Sequence, residues 1–90
     1  MTKQLLAFVQ LGDLTHDVSY VAEDGTMSHL VSIPIDNMPE TLAYYAHDKK
    51  VDNIVIYGFK KYTTMLKDKV ISKSLKEYGH SNLLIELKEF

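Results

Sequence analysis

Three groupings in this 90-residue chain have side chains that could do chemistry. His16 and Asp17 stand side by side, an imidazole beside a carboxylate, the combination that general-base catalysis uses. Adjacent residues in extended chain point to opposite sides, and no serine or threonine nucleophile is fixed beside the pair, so His16 reads as a polar loop histidine. Gly12-Asp13-Leu14-Thr15 could cradle a phosphate, but it offers one glycine, no lysine and an acid that repels the ligand. Lys60, Lys61, Lys67, Lys69, Lys73 and Lys76 crowd one segment and form a basic helix face, read first as solvated surface and second as a contact for nucleic acid or an acidic protein. His29 shares a face with Met27 and Val31 and is expected to be buried or at an interface. His47 and His80 lack metal-ligand spacing, so neither metal nor cofactor is expected.

Composition narrows the classes further. With 46% hydrophobic and 24% charged residues the chain is globular, and its length suits one domain over residues 1–90. There is no cysteine, hence no disulfide, thiolate metal site or thiol nucleophile. The net charge of −2 and a basic set made wholly of lysine lower the expectation of sequence-specific nucleic-acid readout, which leans on the arginine fork. No apolar run reaches the ~18 residues of a membrane span, and Met1-Thr2-Lys3 leads straight into a patterned strand, so a cytoplasmic protein is expected.

The elements that would position these side chains follow from apolar periodicity. Leu5 to Leu11 reads as a strand covered on both faces, closed by Gly12-Asp13. Val18 to Ala22 alternates and ends at Asp24-Gly25, a tight-turn signal that returns Met27 to Ile33 antiparallel until Pro34 stops it. Asn37-Met38-Pro39-Glu40 reads as a capped helix start running to about Asp48 with Leu42, Tyr45 and Ala46 inward; Tyr44 is left as a partly exposed aromatic. Ile54 to Tyr57 is a short apolar strand. A second helix runs from Lys60 or Thr63 to Tyr78 and ends at Gly79, before a last strand from Leu83 to Leu87.

The order β-β-β-α-β-α-β is laid out most simply as an α/β domain with one mixed five-stranded sheet, 3-2-1-4-5. Right-handed crossovers that move the same way then put both helices on one face. The other face is uncovered, yet the first strand is apolar on both sides, which marks an interface. Leu6, Phe8, Tyr20, His29 and Val55 are the candidates for it, with a homodimer as its simplest use. Gln10, Asp13, His16 and Tyr57 fall at the strand ends, where α/β sheets bind ligands, and form a candidate groove.

This order, together with the phrase FVQLGDLTHDVSYVAEDGTMSHL, resembles the ribonuclease H-like superfamily, in particular its RuvC and YqgF resolvase types and the related actin-like lobes. The matching features are Val9 to Gly12, Thr15, the second strand and Asp24-Gly25-Thr26. The resemblance implies a metal-binding aspartate at the end of the first strand, where this chain has Gln10, and Tyr57-Gly58 stands where the fourth strand would offer a carboxylate. On that ground the chain is expected not to be an enzyme, but a protein-interaction or assembly module of phage or mobile-element style that uses its open sheet face. The alternative is a nucleic-acid-binding accessory that uses the lysine-rich second helix, and a residual metal-dependent nuclease comes third.

Overall fold

The computed structural model describes residues 3–10, 12, 14–80 and 82–89. The elements are β1 (Gln4–Phe8), β2 (His16–Val21), β3 (Met27–Ile33), a short 3-10 turn at Ile35–Asn37, α1 (Met38–Asp48), β4 (Asn53–Tyr57), α2 (Lys60–Tyr78) and β5 (Leu84–Lys88). They form one mixed sheet in the expected order β3-β2-β1-β4-β5, antiparallel as far as β1 and parallel beyond it. Both helices lie on one side. Leu5, Ala7, Val9, Val18, Ile54 and Ile56 pack in a single cluster with Leu42 and Ala46 of α1 and Leu66 and Val70 of α2. Leu5, Leu42, Ile54 and Ile56 are fully buried, each a stabilisation of about 1.5–3 kcal/mol.

Local chemistry explains where the elements differ from expectation. β1 stops at Phe8, short of Leu11: Val9 still donates to the Tyr57 carbonyl at 2.8 Å, but the Gln10 N–H turns to His16 Nδ1 at 3.3 Å and leaves the ladder. Leu11 lies outside the described residues. Asn37 makes no side-chain cap; it belongs to the 3-10 turn that feeds α1, so its own backbone is already helical. The hairpin is as expected, with Gly25 at φ +88° and Thr26 N–H bonded to Asp24 Oδ1 at 2.9 Å. Gly79 closes α2 in the left-handed region at φ +64°, its N–H bonded to the Leu75 and Ser74 carbonyls.

β3 contains the main irregularity. Val18 opposes Val31, but Ser19 opposes His29, so Leu30 is an extra residue: a β-bulge. Both Leu30 and Val31 pack toward the helices. The alternation resumes out of step, and His29 falls on the opposite side from Val31 and Ile33. The expectation that His29 shares a face with Val31 is thereby corrected.

Candidate functional site

Residues that face each other across a ladder share a side, so the strand registers arrange the uncovered side in three rows. The first is Met27, Val21, Gln4, Asn53 and Leu84; the second His29, Ser19, Leu6, Val55 and Glu86; the third Ser32, Asp17, Phe8, Tyr57 and Lys88. Four of the five expected face residues are here: Leu6, Phe8, His29 and Val55. Tyr20 is not. It opposes Leu5, packs against the core and lies under Lys49, whose Nζ is 5.6 Å from the ring centroid, so it belongs to the helix side.

The third row carries the most chemistry. Phe8 and Tyr57 end their strands level with each other, and their rings stack with centroids 5.1 Å apart and planes 10° from parallel. Lys88 Nζ sits 6.0 Å from the Tyr57 centroid. Around the rim, Lys60 and Thr63 of α2 line a depression of about 330 Å³ with Leu87, Lys88 and Glu89. Gly58 turns the chain from β4 into α2 against β1; a Cβ there would lie 2.6 Å from the Val9 carbonyl oxygen. The result is a half-buried aromatic pair in a face that no described helix covers, with cationic groups at one edge.

At the other end of that row, Ser32 Oγ donates to Asp17 Oδ1 at 2.5 Å, and His29 Nε2 lies 3.1 Å from Ser32 Oγ and 3.3 Å from Asp17 Oδ1. The Ser32 hydrogen bond, followed by that from His29, holds the Asp17 carboxyl below its usual range. In a serine–histidine–aspartate relay the imidazole bridges the other two groups through different nitrogens. Here one nitrogen faces both groups and the serine proton goes to the carboxylate, so this is a surface hydrogen-bond cluster.

The expected strand-end groove is only partly assembled. Gln10 is exposed and Tyr57 half-buried, but His16, expected as loop surface, opens β2 at 6% exposure and spends Nδ1 on the Gln10 N–H. Asp13 lies outside the described residues. The donors at the two strand ends, a neutral amide and a phenol, do not fit a divalent cation, and the described residues contain no group of three or more histidines and carboxylates able to hold one. Nor do the lysines form one face. Lys69, Lys73 and Lys76 line a depression with Asp36 and Glu40, and Lys73 pairs with Glu77 at 3.5 Å, while Lys60 turns toward Lys88. Lys61 is exposed and Lys67 half-buried. The helical period divides them into separate groups. Tyr44 is 48% exposed and meets Tyr45 edge-on.

No protein-family model matches the chain, and no curated protein matches it in sequence. Among solved structures, a mutant nuclease domain of the large terminase subunit of bacterial virus Sf6, with manganese and beta-thujaplicinol, superposes on it with a TM-score of 0.62 at 5% identity. The match covers 99% of this chain and 38% of that one. The likeness shows a shared fold and agrees with the ribonuclease H-like resemblance of the sequence. This match also corrects the expectation that the chain is not an enzyme: the scaffold it shares is one that a nuclease domain uses. No helix among the described residues is long and apolar enough to cross a membrane.

The aromatic stack has a signature in the sequence that the apolar periodicity alone does not single out. Phe8 and Tyr57 each close an apolar run, and two parallel strands aligned by those runs bring their last residues together.

Proposed function

We propose that this chain is a nucleic-acid-binding domain of the ribonuclease H-like class, akin to the RuvC/YqgF resolvase branch, and that it takes single-stranded nucleic acid on its open sheet face. The observation that carries the reading is the Phe8–Tyr57 stack on the two adjacent central strands, with Lys88 beside it. Exposed aromatic rings on a sheet offer sequence-tolerant stacking to unpaired bases, and a duplex does not present its base faces. Lys60 and Lys88 stand where the phosphates of such a strand would pass. The structural neighbour is a nuclease domain, which supports a nucleic-acid ligand, and its viral source supports a phage-like setting. With a net charge of −2, stacking contributes more than counterion release, so the salt dependence is shallow.

Fluorescence anisotropy of a labelled single-stranded oligonucleotide tests this. Tyr57→Leu and Phe8→Leu should each weaken binding by about 5- to 100-fold, the worth of one stacked base. No binding at low salt, or binding indifferent to both substitutions, would remove the proposal. Gel analysis of the same mixture with Mn²⁺ reads out whether the strand is cut.

A second reading, a protein partner on the same face, is favoured by Met27 and Leu84, 61% and 69% exposed at the two ends of the first row. A partner held there would depend on Met27 and Leu84 and not on the aromatic pair.

A further inference from the structure

The two edges of the sheet are not equally protected. The β3 edge is interrupted by the Leu30 bulge and ends at Pro34, both features that discourage a further strand. β5 has neither. Its five residues pair with β4 in unbroken register, and among the described residues nothing pairs with its other side. The Lys88 carbonyl accepts the Gly58 N–H, so Lys88 and Glu86 direct their backbone groups at β4; by alternation Ile85 and Leu87 direct theirs outward.

We propose that this edge pairs with the same edge of a second copy of the chain, antiparallel about Leu87, and so joins two sheets into one of ten strands. Charge selects the register. A two-fold axis normal to the sheet requires the centre to fall on a residue, and three centres lie within reach of β5. Centring on Glu86 sets that carboxylate against the partner's Glu86, and centring on Ile85 sets Leu84 against the partner's Glu86. Centring on Leu87 sets Glu86 against the partner's Lys88, and Lys88 against the partner's Glu86, twice in one dimer. Both side chains are exposed and neither has an ion-pair partner among the described residues. In this register Leu87 exchanges backbone hydrogen bonds with the partner's Leu87. Glu86 and Lys88 then occupy the non-hydrogen-bonded positions, where facing side chains come closest. This pairing runs along the sheet edge and shares only Lys88 with the nucleic-acid reading, so its test is made on the chain without oligonucleotide.

Sedimentation velocity of the full chain over a concentration series is the test. A reversible dimer is expected that weakens as salt rises. Glu86→Lys, which sets like charges in both cross-strand pairs, should weaken it at least tenfold, and adding Lys88→Glu should restore it. Circular dichroism establishes that each variant keeps its fold, and the salt series on the unaltered chain needs no variant. A monomer at every concentration, a dimer indifferent to Glu86→Lys, or a double variant that does not recover would each overturn the proposal. So would a dimer broken by Phe8→Lys with its β5 charges intact, because contact would then run through the open face.

Discussion

Phe8 and Tyr57 lie ring on ring across the β1–β4 ladder, 5.1 Å between centroids, at the end of the sheet where α2 begins. The pair has a structural share in the fold beside the proposed binding one, because each ring covers part of the other on a face with no described helix above it. Tyr57→Ala should therefore lower stability by about 1–3 kcal/mol and weaken oligonucleotide binding, while Tyr57→Phe, which keeps the ring, should keep oligonucleotide binding. Thermal melts and anisotropy of the same preparations separate the two roles.

Gly58 has no room for a side chain. The atom a Cβ would meet first is the Val9 carbonyl oxygen at 2.6 Å, which is backbone and cannot rotate away. Gly58→Ala should cost about 1–3 kcal/mol, seen as a lower melting temperature, and should open the β1–β4 end on which the aromatic pair rests.

Ser74 of α2 is completely buried, and among the described residues its hydroxyl has no hydrogen-bond partner. Removing an unsatisfied buried oxygen removes its desolvation penalty. Ser74→Ala should stabilise the chain by about 1 kcal/mol in chemical denaturation, with no effect on ligand binding.

Acid should loosen the β2–β3 side of the sheet. The Asp17 carboxyl is held below its ordinary 3.8 by the hydrogen bond from Ser32 and then that from His29, so the folded state binds this proton less readily than the unfolded chain does. The resulting stabilisation is fully present above the ordinary value and is lost as pH falls through the lowered one. Ser32→Ala should move the Asp17 titration upward in an NMR pH series and reduce the loss of stability on acidification below pH 3.8.

Element order, sheet order and the single helix-covered side were legible because they rest on long-range consistency. Apolar runs such as Ile54-Val55-Ile56 have to be central, and two right-handed crossovers leave only one layout. Residue-level placement was less legible. Tyr20, expected on the open face, lies among core residues, a placement that its alternation with Val18 already implies. The buried role of His16 depends on one hydrogen bond from Gln10, which no pattern in sequence announces. The scattering of the lysines around α2 could have been counted from the helical period. The expectation of no enzyme fails for another reason: absent acids describe a site, and the scaffold around that site is still one that a nuclease domain shares.

The extra residue at Leu30 works as a change of phase. Before it, odd-numbered residues of β3 look out across the open face; after it, odd-numbered residues look in toward the helices. The strand can thus place Met27 and His29 outside and Val31 and Ile33 inside while its sequence keeps one uninterrupted alternation. Deleting Leu30 would leave Val31 opposite Val18 and His29 opposite Ser19, so every side chain would keep its side of the sheet and the strand would lose only its bulge.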